Sequence, residues 1–235
     1  MITFNNIELT NIAPVKIDDI DVSPINYTPV ARQRAVAFGA DFVRMGGGTR
    51  TVAITFALLD DTPTSRETYL QAIRDWAVIE GEKELVLPHF SGKHLECVCT
   101  EHPDASFRKW WESRLRLVFT CFNNPFWTSD TLKTAACGDT PFQINGSATP
   151  LMTIERTLAE AASDEVYISS TQTMTFSTIP AGDLVIDITR QTAQVDGVSI
   201  MQYYEPTSDW IKPSYNGNYQ TISGTGTVKF RERWL

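Results

Sequence analysis

Arg114-Leu115-Arg116-Leu117-Val118-Phe119-Thr120-Cys121 is the most regular run in the chain. Leu115, Leu117, Phe119 and Cys121 fall on one side of a period-two repeat; Arg114, Arg116 and Thr120 fall on the other. Successive side chains of an extended backbone point to opposite faces, so the run predicts a strand with one face in a core. It stops at Asn123-Asn124-Pro125, where turn formers gather, and a domain boundary is expected just beyond. Working back, Leu85-Val86-Leu87 and the alternating Leu95, Cys97 and Cys99 predict further strands. Val52, Ile54, Phe56 and Leu58 alternate in the same way, and an extended run from Ala35 to Arg44 precedes them. Gly46-Gly47-Gly48 separates the two runs, so a long hairpin turning at the glycines is expected.

The same half holds the one convincing helix. Thr64 followed by Glu67 reads as a capping box, and Leu70, Ile73 and Ala77, flanked by Tyr69 and Trp76, mark one face at helical spacing. Gly81 is the expected stop. Such a helix must bury its stripe against a sheet, which predicts a β domain with a helical cover.

After a join expected over Cys137 to Pro150, short strands return at Leu151–Leu158, Glu165–Phe176 and Asp183–Ile188. Asp196-Gly197 between extended arms predicts a tight hairpin, and Asn216-Gly217 a second turn. Val228, Phe230 and Trp234 alternate with Lys229, Arg231 and Arg233. Short strands with frequent turns predict a β-sandwich. The fold class is therefore mainly β: an N-terminal sandwich-like domain with one helix and a long hairpin over 1–128, then a β-sandwich over 129–235.

The 235 residues carry a formal net charge of -8 and a sequence pI near 4.9, without a Lys/Arg run. That balance argues against specific nucleic-acid binding. No stretch nears the roughly 20 apolar residues of a membrane span, and the N-terminus lacks the basic and apolar regions of a signal peptide. Synthesis in a cytoplasm is expected, with Cys97, Cys99, Cys121 and Cys137 as free thiols.

Chemistry is sparse. His94, Cys97, Cys99 and His102 have the right types for zinc, but on one strand the cysteines face away from the histidines. Gly46-Gly47-Gly48-Thr49-Arg50 lacks the Lys-Ser/Thr ending of a phosphate loop. Paired carboxylates of a hydrolase stay possible, because their separation is a tertiary property. Trp110-Trp111, Tyr203-Tyr204 and Trp210 fit either a sugar platform or an aromatic core. No catalytic, metal or cofactor-binding residue is assigned, and an enzyme is not expected.

The order of these features resembles the distal tail proteins of long-tailed, non-contractile bacteriophages and the wider phage tail-component family. The resemblance runs from Ile2-Thr3-Phe4-Asn5-Asn6-Ile7-Glu8-Leu9 through the helix ending in Trp76 to Phe119-Thr120-Cys121-Phe122. It continues through Ile144-Asn145-Gly146-Ser147-Ala148-Thr149-Pro150, Asp183-Leu184-Val185-Ile186-Asp187 and Val195-Asp196-Gly197 to Arg231-Glu232-Arg233-Trp234. Asp130 to Phe142 departs from the family pattern.

The resemblance implies a virion protein at the tail tip, made and assembled in the host cytoplasm. Its N-terminal domain would form a homohexameric ring with a lumen for DNA, and its C-terminal sandwich would be galectin-like. The implied partners are the tail tube protein, the tip hub or tail-associated protein, the tape measure and receptor-binding proteins. A carbohydrate-binding sandwich at a tail tip is the alternative. A closed ring needs two different surfaces that fit each other. The hairpin, with Phe42, Arg44, Gly46, Gly47, Gly48 and Arg50, is the candidate arm reaching a neighbour; an ordinary hairpin within its own domain is the competing reading.

Overall fold

The computed structural model describes residues 1–33, 40–59, 62–103, 114–169 and 172–235. The chain divides into two units, Met1–Trp127 with Leu235, and Thr128–Trp234. Both are mainly β and antiparallel, of the β-sandwich type.

The first unit contains β1 (Thr3–Phe4), β2 (Ile7–Glu8), β3 (Val15–Val22), β4 (Asn26–Gln33), β5 (Ala40–Leu58), α1 (Pro63–Ala77), β6 (Lys83–Val86), β7 (Lys93–Glu101) and β8 (Leu115–Cys121). A short β9 (Trp127–Ser129) crosses the division. One ladder series runs β3–β5–β8–β7, the other β7–β6–β1–β2. β7 serves both: His94 to Cys97 pair with β6, and Val98 to Glu101 with β8.

Alternation explains the core. Val52, Ile54 and Phe56 of β5 and Leu117, Phe119 and Cys121 of β8 are fully buried. The helical stripe of Leu70, Ile73, Trp76 and Ala77 is buried with them. Phe4, Trp76 and Phe119 meet with ring centroids 4.9 to 6.2 Å apart, and the Trp76 indole N–H donates to the Ile7 carbonyl at 3.0 Å. One polar atom thus fixes the helix to β2 while its apolar body fills the core.

Three expectations need correction here. The helix begins one residue before Thr64, at Pro63, with Thr62 as N-cap; the Ser65 hydroxyl donates to the Thr62 carbonyl at 3.1 Å. Proline's fixed φ suits the first helical position. The helix ends at Ala77, where the Val78 N–H donates to the Arg74 carbonyl, and Gly81 (φ +74°) lies beyond in the next turn.

The third correction is larger. Gly46-Gly47-Gly48 is not a turn: β5 runs unbroken from Ala40 to Leu58. The hairpin pairs β4 with the N-terminal half of β5, from Asn26↔Thr49 to Gln33↔Ala40, and residues 34–39 between them lie outside the described residues. Gly48 lies opposite Tyr27, and a Cβ there would stand 3.1 Å from the Tyr27 ring and collide with Ile25 Cγ2. The glycine permits close approach of neighbouring chain, and not a reversal.

The second unit contains β10 (Lys133–Ile144), β11 (Ala148–Leu158), β12 (Ala162–Ser169), β13 (Gln172–Ile179), β14 (Gly182–Asp187), β15 (Thr192–Val195), β16 (Val198–Ser199) and β17 (Asn218–Trp234). Ladders run β10–β17–β11–β14–β15–β16, while β12 and β13 form a hairpin that meets β17 at Ile168↔Ser223. Met152, Ile154, Tyr167, Met174, Phe176, Ile186, Val228 and Phe230 form its core. Gly224 and Gly226, with φ of +119° and +135°, break the regularity of β17. A Cβ at Gly224 would stand 2.7 Å from the Tyr167 ring, and one at Gly226 2.8 Å from the Glu155 carbonyl.

Asp196 and Gly197 both have positive φ between β15 and β16, as the tight-turn reading requires. Cys137 to Pro150, expected as a join, is largely strand: β10 absorbs Gly138 and Pro141 at two register shifts and reaches Ile144. Glu165–Phe176, expected as one strand, is β12 and β13.

Candidate assembly site

The hairpin is a two-stranded ribbon. Among the described residues, β4 registers only with the N-terminal half of β5, whereas the C-terminal half lies between β3 and β8. Eight-residue β4 spans roughly 27 Å at about 3.4 Å per residue. An isolated ribbon is marginal in water, and its outer edges carry backbone donors and acceptors ready for another chain.

The candidate residues separate into two groups. Phe42, Arg44, Gly46 and Gly47 lie along the ribbon half of β5; their side chains fall outside the described residues. Gly48 and Arg50 sit where the ribbon joins the body sheet.

Arg50 is the unusual one. It is 5% exposed and pairs in register with Cys121 of β8. Its guanidinium carbon lies 6.0 Å from the Trp127 ring, which in turn stacks on Phe90 at 4.0 Å. Among the described residues, Nε and Nη1 have no hydrogen-bond partner. Burial lowers the Arg50 pKa from its ordinary value, with Cys121 and Tyr27 nearby working in the opposite direction. An arginine nevertheless keeps its charge in a protein, so this is a buried cation with two unfilled donors.

Arg50's burial was missed in the sequence although the signal is present. Extending the stripe of Leu58, Phe56, Ile54 and Val52 back by one step puts Arg50 on the core face.

A second feature is a cleft of about 510 Å³ beside β3, with Glu8, Leu9, Ile17, Asp18, Asp19 and Ile20 among its walls. Asp18 lies 3.6 Å from Arg114. The Thr10 hydroxyl donates to Glu8 at 2.5 Å. Three aspartates within Val15–Val22 are its sequence signal.

The other chemical candidates lie largely among buried side chains. Cys97 and Cys121 are fully buried, and a hydrogen bond with Cys121 together with burial pushes the Cys97 thiol far above its usual range. Cys99 is pushed up to about 11, mainly by burial. His94 is buried, with Nε2 3.9 Å from Glu84. Among the described residues, no three His, Cys, Asp or Glu side chains are grouped to hold a metal. Tyr204 stacks on Trp210 at 5.2 Å, meets Phe176 edge-on and donates its hydroxyl to the Ser208 carbonyl; Tyr203, Tyr204 and Trp210 pack against the core. Trp110-Trp111 lies outside the described residues.

No family model matches the chain, and no curated protein matches it. In fold it is similar to the crystal structure of the Dit (gp 19.1) protein of phage SPP1, described as a paradigm of hub adsorption apparatus in Gram-positive infecting phages. The TM-score is 0.75 at 15% identity, over 100% of this chain and 98% of that one. Two structures of the phage P2 baseplate in its activated conformation also match. The calcium form gives a TM-score of 0.45 at 10% identity, over 97% of this chain and 92% of that one. The strontium form gives 0.44 at 9%, over 96% and 92%.

Proposed function

We propose that this chain is a structural tail-tip protein of a long-tailed phage, working by assembly and not by catalysis. Copies of the first unit, taken as residues 1–128, close into a ring of about six with a lumen for DNA. The second unit, 129–235, is the galectin-like sandwich carried by that ring. The ring joins the tail tube to the tip hub, with the tape measure and receptor-binding proteins as further contacts, all within the virion. The observation that carries this reading is the fold shared with a phage hub protein over essentially the whole of both chains.

Arg50 and the ribbon supply the physical rationale. A heterologous contact needs a projecting element and a receptor. The β4–β5 ribbon has unpaired edges among the described residues, and Arg50 is buried at its root, where it joins ribbon to body sheet. Phe42, Arg44, Gly46, Gly47, Gly48 and Arg50 are accordingly assigned to the ring contact.

Electron micrographs and light scattering of the purified chain test the reading. Annular particles of about six copies are expected, alone or on tail tubes. Monomers at high concentration that also fail to join tail tubes would overturn it.

A further inference from the structure

We infer that the receptor for the β4–β5 ribbon is the acidic cleft and free edge of β3 on a second copy of this chain. The inference rests on the ring reading above and adds the face that the ribbon engages.

Among the described residues, β3 pairs with β5 along one side only, and it is the longest such edge in the body of the first unit. The opposite end of that sheet is closed, because β7 continues into β6. An open strand edge is a template for another strand, and proteins that keep one usually guard it with charge. Here the guard has one sign: Asp18, Asp19 and Asp21 lie on an eight-residue strand with Lys16 as the only cation. Among the described residues, Asp19 and Asp21 have no ion-pair partner, and Asp18 has only the largely exposed Arg114. The cleft beside this edge adds Glu8 to the same negative field and offers apolar Leu9, Ile17 and Ile20 between the carboxylates.

The ribbon has the opposite sign. The paired ribbon strands, 26–33 and 40–49, carry Arg32 and Arg44 against the single Asp41, in a chain whose net charge is -8. Its first strand and β3 are both eight residues long, so one can lie along the other without overhang. A negative edge rejects a second β3 and admits a positive ribbon, which gives a heterologous contact and disfavours a two-fold one.

The test uses the full chain and two charge reversals, D19K/D21K in the edge and R32E/R44E in the ribbon. Asp19 and Asp21 are exposed, so circular dichroism should show an unchanged fold. Each pair alone should raise the concentration for half-assembly at least ~10-fold, and the four changes together should recover most of the loss. A cysteine pair, D19C with R44C, should form cross-linked chains only between copies. Wild-type-like assembly of either reversed pair, no recovery in the combination, or no intermolecular cross-link would overturn the inference while leaving the ring intact. A wild-type chain that never assembles would remove the ring reading and this inference together.

Discussion

Gly224→Ala is the sharpest probe of the second unit, because two separate costs converge on one atom. At φ +119° an L side chain is outside the allowed regions, at roughly 1–3 kcal/mol. The added Cβ also stands 2.7 Å from Cδ1 of Tyr167 and 3.1 Å from the Val166 carbonyl. Tyr167 cannot swing aside freely: it is fully buried, and its hydroxyl donates to the Thr225 carbonyl at 3.3 Å. Overpacking of this kind adds about 1–3 kcal/mol, so a loss of roughly 2–6 kcal/mol is expected. For a unit of this size that is a fall in Tm on the order of 10–25 °C. Gly197→Ala is the control, since its φ of +80° carries a left-handed cost of about 1–2 kcal/mol with nothing within 4 Å of the new Cβ. Scanning calorimetry of the two variants decides the matter. If Gly224→Ala melts no earlier than Gly197→Ala, the packing of β17 against Tyr167 is wrong.

Phe119→Ala, which opens the centre of the Phe4–Trp76 contact, should cost the first unit about 3–5 kcal/mol in urea unfolding followed by tryptophan fluorescence. Glu232 is 4% exposed, accepts from the Asn145 N–H at 2.7 Å and lies 2.9 Å from Lys133 Nζ; Glu232→Ala should cost about 2–4 kcal/mol in the same assay. Arg50→Met should stabilise the isolated chain by about 1–2 kcal/mol, because it removes a buried charge with unfilled donors, yet weaken assembly in light scattering. At alkaline pH the second unit should lose stability. Burial raises Tyr167 from 10.0 to about 12 and Cys137 from 9.0 to about 11, so the unfolded chain ionises first. The contribution is full below pH 9 and declines as pH rises toward 12, which urea midpoints across that range will show.

Elements with a strong local period were legible in the sequence. β8 is bounded as its alternation requires, and the buried side of α1 is the stripe of Leu70, Ile73 and Ala77. The Asp196-Gly197 turn needed only two residues that tolerate positive φ. What failed depended on partners distant in sequence. Three consecutive glycines read as a reversal, because nothing local shows that Tyr27 and Ile25 crowd Gly48 from the neighbouring strand. β10 was hidden by Gly138 and Pro141, which an antiparallel ladder accommodates at its register shifts. Arg50 was singled out as part of a turn, but its burial follows from a stripe that its charge disguised. The three aspartates of β3 mark an acidic strand in the sequence, but the cleft itself was illegible, since Glu8 and Asp19 come together only through the fold.

The unbroken course of β5 has a mechanical consequence. Ribbon and body share one covalent backbone without a bend-prone loop between them, so tension applied at the ribbon enters the middle of the sheet directly. There the strand is gripped from both sides, by β3 and by β8, through antiparallel bonds lying across the direction of pull. Those bonds are strained all at once in shear instead of being peeled one by one. A neighbour tugging on this element would therefore displace the whole body before extracting the strand.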